Sequence, residues 1–226
     1  MQTQDPILVT KHVTKEILVN DVSNSILKNI TMTVNKAEII AITGRSGVGK
    51  TTLLSLLAGL DIPTSGTIKL MGHDISKLCE DERARLRLNN IGFVFQNFHL
   101  IPSLTVLENV MLPLELSKTR NAQERSQEIL SYLGLKEKYK CYPNQLSGGE
   151  QQRVALARAY VIKPSILFAD ELTGNLDEAT SSIITKLLFD LNEKEKTTLI
   201  LVTHDQTLAN NCQRQLELRG GEIVEK

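Results

Sequence analysis

A glycine-rich stretch between an apolar run and a helix-like run constrains the fold of this chain most. It reads Gly44-Arg45-Ser46-Gly47-Val48-Gly49-Lys50-Thr51 and matches G-x-x-x-x-G-K-S/T. Residues 38–43 ahead of it predict a buried strand, and residues 52–58 behind it predict an apolar helix. Because glycines permit positive φ and a helix start carries partial positive charge, backbone N–H groups there can surround a phosphate. We therefore predict a phosphate-binding loop; the alternative is a plain glycine-rich turn.

Lys50 and Thr51 give this loop its chemistry. We expect Lys50 to reach the β- and γ-phosphates of a nucleotide, and the Thr51 hydroxyl to bind Mg²⁺. The residues predicted to hold the nucleotide are Gly44, Arg45, Ser46, Gly47, Val48, Gly49, Lys50, Thr51 and Thr52.

Length and composition limit the number of domains and the class of protein. The 226 residues are enough for one substantial α/β core with a smaller appended subdomain, so we expect a single domain over residues 1–226. Lys and Arg (26) balance Asp and Glu (26), which gives no reason to expect nucleic-acid binding.

The cysteines indicate the cellular environment. Cys79, Cys141 and Cys212 are widely spaced, as is typical of free thiols in a reducing cytosol. We find no secretion signal and no apolar run near the roughly 20 residues that span a bilayer, so any membrane attachment would come from another chain.

The remaining apolar runs predict an α/β fold. Three strand patterns predict a small antiparallel sheet: residues 7–12, 26–34 and 66–71. Three continuous apolar runs predict buried strands: residues 91–95, 165–170 and 198–202. A helical pattern of crossover length lies between the last two, at residues 178–191, and therefore favours a parallel sheet.

Helical patterns replace strand patterns between residue 97 and about residue 163. They cover residues 105–111, 120–133 and 150–162, and we expect an inserted helical subdomain there. Residues 81–88 predict an exposed helix, and residues 216–224 predict a terminal hairpin around Gly220-Gly221.

Asp170 ends the apolar run at 165–170, and Glu171 follows it. Asp170 would provide a carboxylate for Mg²⁺, and Glu171 would orient or deprotonate water. The alternative is an acidic strand end that caps the next helix.

A second predicted anion site lies at Leu146-Ser147-Gly148-Gly149-Glu150, just before a helical pattern. One nucleotide does not need two such sites in one chain. Here the sequence resembles the ATP-binding cassette (ABC) family, whose signature is L-S-G-G-E/Q. The resemblance covers nearly the whole chain. It implies a P-loop NTPase core (RecA-like, mainly parallel sheet) with an N-terminal antiparallel β subdomain and an inserted helical subdomain.

The resemblance also assigns roles. It implies that Ser147, Gly148 and Gly149 of one subunit close on the γ-phosphate that is held by the glycine-rich loop 44–51 of another subunit, the Walker A loop of the family. Gln96 matches the Q-loop glutamine, which senses Mg²⁺, the attacking water and the membrane partner. Asp177 lies in the D-loop at the dimer interface, and His204 matches the switch histidine that contacts the γ-phosphate. Taken alone, a histidine after a strand is more often structural.

Within the family, residues 95–110 and 173–177 resemble the lipoprotein-releasing, macrolide-efflux and cell-division branch. This implies an ATPase that uses ATP and Mg²⁺, pairs with a second copy of itself and with an integral membrane permease-type subunit, and lies on the cytoplasmic face of the cell membrane. A soluble ABC ATPase of translation or DNA repair is the alternative, but the chain has neither a second cassette nor a long coiled-coil insertion. A GTPase is a third class, and no N-K-x-D motif supports it.

The sequence departs from the family at two positions. No Phe, Tyr or Trp precedes Phe93, so no aromatic ring is available to stack on adenine, and Ile17 or His12 would have to hold the base instead. Leu172 replaces the proline that commonly follows the catalytic glutamate. This restores a backbone N–H and φ freedom next to Glu171.

Overall fold

The computed structural model describes residues 6–19 and 22–225 and divides the chain into two units. The first unit comprises Met1–Arg87 and Thr198–Lys226, and the second comprises Leu88–Thr197.

An antiparallel sheet forms one part of the first unit. Its four strands are β1 (Pro6–Val19), β2 (Val22–Asn35), β4 (Ser65–Leu70) and β5 (His73–Asp74), in the order β2-β1-β4-β5. Leu27, Ile30, Met32 and Val34 of β2 are buried, as their spacing predicted. The step of three residues from Leu27 to Ile30 coincides with a register shift against β1, which lets both side chains face the core.

Parallel strands form the other part of the first unit. Strand β3 (Ile39–Thr43) pairs in parallel with β8 (Thr198–Val202) on one side and with β9 (Arg214–Arg219) on the other. All five residues of β8 are buried, which explains its continuous apolar sequence. The predicted C-terminal hairpin is formed by β9 and β10 (Glu222–Glu225). Two helices complete this part: α1 (Lys50–Leu57) and α7 (Gln206–Asn210).

The second unit contains a parallel strand pair and most of the helices. Strand β6 (Ile91–Phe95) pairs with β7 (Ile166–Asp170). Its helices are α3 (Val106–Leu116), α4 (Ala122–Tyr132), α5 (Gly148–Tyr160) and α6 (Glu178–Glu195), and α5 packs against the other three and against β6. Helix α2 (Glu80–Asn90) begins in the first unit and ends in the second, just before β6, and none of its residues is buried.

The structure confirms the predicted fold class, including the antiparallel strands, the parallel strands and the helical segment between β6 and β7. The prediction did not include the short strand β5, the short helix α7 or the pairing of β9 with β3. Within the described ranges, every helix is too short or too polar to cross a bilayer. The three cysteines are free thiols, and burial raises the pKa of Cys212 to about 12.

Candidate functional site

The glycine-rich loop connects β3 to α1. Gly49 is the residue before α1, has φ 103° and provides no side-chain cap. A Cβ at Gly49 would lie 2.8 Å from Cγ2 of Ile26, so both the backbone angle and the packing require glycine. The first N–H groups of a helix have no partner inside the helix. Because Gly49 places no side chain at the start of α1, the backbone N–H groups there can approach an anion closely.

Lys50 brings a positive charge to the same loop. Its side chain is 6% exposed, and its Nζ donates to the carbonyl oxygens of Gly44 (3.0 Å) and Arg45 (3.1 Å). The Thr51 hydroxyl belongs to an exposed residue in the first turn of α1. The N–H groups of a helix start, an ammonium and a hydroxyl in one loop are the groups that a polyphosphate and its Mg²⁺ require, so the loop fits the predicted ligands.

His204 lies near the same edge of the parallel strands as the loop. Because β3 and β8 are parallel and Ile42 is opposite Val202, the segments that follow them leave at one edge. The Thr203 N–H donates to the Ile42 carbonyl (3.2 Å), and His204 follows as an exposed residue. The next residue, Asp205, caps α7. The first unit therefore brings His204 and the phosphate-binding loop to one edge.

In the second unit, the predicted acidic residues and Gln96 also share an edge. Phe95 and Asp170 are opposite each other in the parallel pair, so Gln96 and Glu171 are the first residues after the two strands. Gln96, Asp170 and Glu171 are all half-buried. Carboxylate and amide oxygens are ligands that Mg²⁺ accepts, so these residues fit a magnesium site. The helix that follows is capped by Asp177, so Asp170 and Glu171 are not its caps.

The turn after β7 is fixed by hydrogen bonds from inside the unit. Glu171 has φ 46°, an uncommon angle for a residue with a side chain. Its carbonyl accepts from the Gly174 N–H (3.0 Å). The next carbonyl, that of Leu172, accepts from Nε2 of Gln152 (2.9 Å), and Leu172 is 1% exposed. The leucine that replaces the usual proline is thus a core residue whose backbone is bound to α5.

The signature residues form the start of α5. Ser147 is its N-cap and forms a capping box with Glu150: the Ser147 N–H donates to Glu150 Oε2 (2.9 Å), and Ser147 Oγ accepts from the Glu150 N–H (3.3 Å). The backbone hydrogen bond from Ser147 and the side chain of Lys138 lower the pKa of Glu150. The box fixes the backbone at Gly148 and Gly149, whose N–H groups occupy the first turn of α5.

Asp177 is the N-cap of α6. Its carboxylate accepts from Thr180 Oγ1 (2.7 Å) and from the Thr180 N–H (2.9 Å), and these bonds lower its pKa. A cavity of about 300 Å³ lies between the starts of α5 and α6. Its lining includes Ser147, Gly149, Asn175, Asp177, Thr180 and Ile183.

The two residues proposed for adenine both lie on β1. Ile17 is 41% exposed, and Nδ1 of His12 lies 2.6 Å from Oδ1 of Asn29. Ile26, which contacts Gly49, is a further aliphatic residue near the loop that the sequence analysis missed. Its position depends on how β2 packs, and no local pattern indicates it.

Three polar residues of the second unit were also missed. Gln152 binds the turn after β7, and Asn175 binds Gln96. Arg158 donates to the carbonyls of His99 (2.6 Å) and Phe98 (2.9 Å), two consecutive residues with positive φ. Gln152 and Arg158 lie in the segment after the signature, but sequence alone does not indicate their partners, 20 to 60 positions away.

Comparison with known proteins decides the family. The sequence profile described as "ABC transporter" matches residues 27–174, more than half of the chain. The chain belongs to the ABC transporter family. It is 47% identical to the uncharacterized ABC transporter ATP-binding protein YbbA of Escherichia coli (strain K12), over 97% of both chains. It is 45% identical to the lipoprotein-releasing system ATP-binding protein LolD of Alcanivorax borkumensis, over 98% of both.

Two further ABC proteins extend the comparison. The macrolide export ATP-binding/permease protein MacB of Syntrophobacter fumaroxidans is 45% identical over 92% of this chain, which matches 30% of its length. The dimeric ATP-binding cassette MJ0796 bound to ADP and Pi has a TM-score of 0.90 and 40% identity, covering 97% of both chains. These relatives confirm the predicted branch and fold. The chain is an ATP-binding subunit of ABC transporter type, and the alternative of a soluble ATPase in translation or DNA repair is not supported.

Proposed function

We propose that this ABC subunit hydrolyses ATP in the presence of Mg²⁺ and uses the energy to drive a membrane partner. The first unit binds the phosphates through the loop 44–52, with Lys50 on the β- and γ-phosphates and His204 on the γ-phosphate. In the second unit, Glu171 orients or deprotonates the attacking water. The observation that carries the proposal is the start of α1 behind Gly49, a residue with φ 103° and no side chain, with the buried Lys50 ammonium beside it.

The Mg²⁺ ion is the second ligand that we propose. Thr51, Gln96 and Asp170 would hold it, and their hydroxyl, amide and carboxylate oxygens suit a hard cation. When bound, Mg²⁺ neutralises charge that develops on the phosphates. Adenine would contact aliphatic or imidazole groups such as Ile17 or His12, so most of the affinity would come from the phosphates.

The named relatives support two proposed partners. MJ0796 forms a dimer, and we propose that this chain dimerises around two ATP molecules, with Ser147, Gly148, Gly149 and Asp177 of one copy completing the site of the other. MacB joins an ATP-binding part to a permease, and we propose a permease-type membrane subunit as the second partner. The subunit would then lie on the cytoplasmic face of the cell membrane. We also propose that residues 1–226 form one nucleotide-binding domain, with residues 97–163 as its helical subdomain.

Lys50→Ala tests the phosphate-binding loop. We expect ATP affinity to fall by about 10- to 100-fold, because a hydrogen bond to a charged group contributes roughly 1.5–3 kcal/mol. The measurement is equilibrium titration with a fluorescent ATP analogue, together with phosphate release in the presence of Mg²⁺ or EDTA. Lys69→Ala, which removes an exposed lysine of β4 in the same unit, is the matched control. Unchanged affinity in Lys50→Ala, or hydrolysis by the wild type in EDTA, would contradict the proposal.

Co-purification tests the membrane partner. A tagged chain expressed in its own host and extracted in mild detergent should retain a permease-type integral membrane protein, identified by mass spectrometry. The same tagged chain with Lys69→Ala should retain it equally. Recovery of ribosomal or DNA-repair proteins in place of a membrane protein would refute this partner.

A further inference from the structure

Asn175 connects the segment after β6 to the turn after β7. Its Nδ2 donates to the backbone carbonyl of Gln96 (3.1 Å) and to Oδ1 of Asn97 (3.0 Å). Its Oδ1 accepts from Nε2 of Gln96 (3.2 Å). The residues joined in this way are 78 and 79 positions apart in the sequence.

The chemistry of these partners fixes how each amide is turned. A backbone carbonyl can only accept, so the Asn175 atom that faces the Gln96 carbonyl must be the Nδ2 nitrogen. Oδ1 of Asn175 therefore faces the side chain of Gln96, and it needs a donor there. Only Nε2 of Gln96 can donate, so Oε1 of Gln96 must point away from Asn175.

Gly174, the residue before Asn175, contacts the side chain of Gln96 from another side. A Cβ at Gly174 would lie 2.7 Å from Nε2 of Gln96 and 3.3 Å from its Cδ, so the carboxamide of Gln96 packs directly on this glycine. The Gly174 N–H is in turn bound to the Glu171 carbonyl (3.0 Å). The terminal torsion of a glutamine is broad and roughly two-fold, so packing alone does not choose between its oxygen and its nitrogen. The hydrogen bond to Asn175 makes that choice.

We propose that Asn175 is a positioning residue that presents the oxygen of the Gln96 carboxamide, rather than its nitrogen, to the Mg²⁺ of bound ATP. This inference rests on the proposed function, because it requires Gln96 to be a magnesium ligand. Asn175 itself does not contact the metal. It acts through the orientation of Gln96, since a carboxamide turned by half a rotation would present N–H groups to a cation.

The test compares nucleotide affinity with and without metal. For each variant, a fluorescent ATP analogue is titrated in Mg²⁺ and in EDTA. The dissociation constant in EDTA divided by the dissociation constant in Mg²⁺ measures the contribution of the metal. We expect Asn175→Ala to reduce this ratio by about tenfold, the lower end of the effect of losing a partner that orients a metal ligand. Affinity in EDTA should stay at the wild-type value. A loss of folded structure would instead lower both affinities.

Three variants complete the test. Gln96→Ala should reduce the ratio at least as much as Asn175→Ala, and the double variant should lose no more than Gln96→Ala alone, because Asn175 acts only through Gln96. Asn97→Ala removes one acceptor of Asn175 but leaves its bond to the Gln96 side chain, so it should keep the wild-type ratio. Additive losses in the double variant, or a wild-type ratio in Asn175→Ala, would overturn the inference. A wild-type ratio in Gln96→Ala would overturn it too, and only that result would also contradict the proposed role of Gln96.

Discussion

Replacing Glu171 with glutamine should lower the rate of ATP hydrolysis by about 10²- to 10⁴-fold, the usual contribution of a general base, while ATP binding is retained. The two side chains have nearly the same size, so the turn after β7 should keep its structure. An amide cannot accept the proton of water, and it removes a negative charge that repels the triphosphate. Binding of ATP should therefore be as tight as in the wild type or tighter, and the dimer with ATP should persist.

The measurements are phosphate release, nucleotide titration and a sizing column run with and without ATP. Glu193→Gln provides the matched control, because Glu193 is an exposed glutamate near the end of α6 in the same unit. It should hydrolyse ATP at the wild-type rate. If Glu171→Gln also hydrolyses at that rate, or runs as a monomer with ATP, then Glu171 does not have the proposed role.

The structure also explains how Leu172 replaces proline next to Glu171. Proline would bias the preceding residue toward extended backbone, whereas Glu171 has φ 46°. Leu172 is buried, and its carbonyl is bound by Gln152 of α5. Contacts of Leu172 with the core therefore restrict the conformation of this turn, which in other family members is restricted by the proline ring.

Local patterns in the sequence were sufficient for most of the fold. The strands β3, β7 and β8 consist mostly of buried apolar residues, and such runs are recognisable without knowing their neighbours. The starts of α3 and α5 each carry a capping box, a signal contained in four consecutive residues. By contrast, β9 pairs with β3 across more than 170 positions, and Ile40 opposite Arg214 follows no local rule.

The same distinction applies to the candidate site. Most of the predicted residues lie in short motifs, at residues 44–51, 146–150 and 170–171, and the resemblance to the family added Gln96, Asp177 and His204. The residues that hold those motifs in place were missed, because their partners are distant in sequence. Gln152 binds the carbonyl of Leu172, and Asn175 binds Gln96. Motifs were therefore sufficient to predict a chemistry, whereas the supporting hydrogen bonds could be seen only in the folded chain.

Ser147→Arg should abolish hydrolysis while leaving ATP binding by the loop 44–52 nearly unchanged. Ser147 is exposed and lines the cavity between α5 and α6, so an arginine there would place bulk and charge on the surface proposed to meet the second copy. The substitution also removes a helix cap worth about 1 kcal/mol. Ser147→Ala removes the same cap without the bulk and therefore separates the two effects: it should show a similar loss of thermal stability but a smaller loss of hydrolysis.

Mixing inactive chains tests whether the site is shared between two copies. A dimer of one Lys50→Ala chain and one Ser147→Arg chain, isolated with two different affinity tags, contains one site with both defects and one with neither. It should regain up to about half of the activity of a wild-type dimer, because one of the two symmetric sites is intact. The matched control joins a wild-type chain to a chain that carries both substitutions, so that every shared site has one defect and the dimer should be inactive. If each copy hydrolysed ATP with its own residues alone, the two results would be reversed, and full activity from a monomer would lead to the same conclusion.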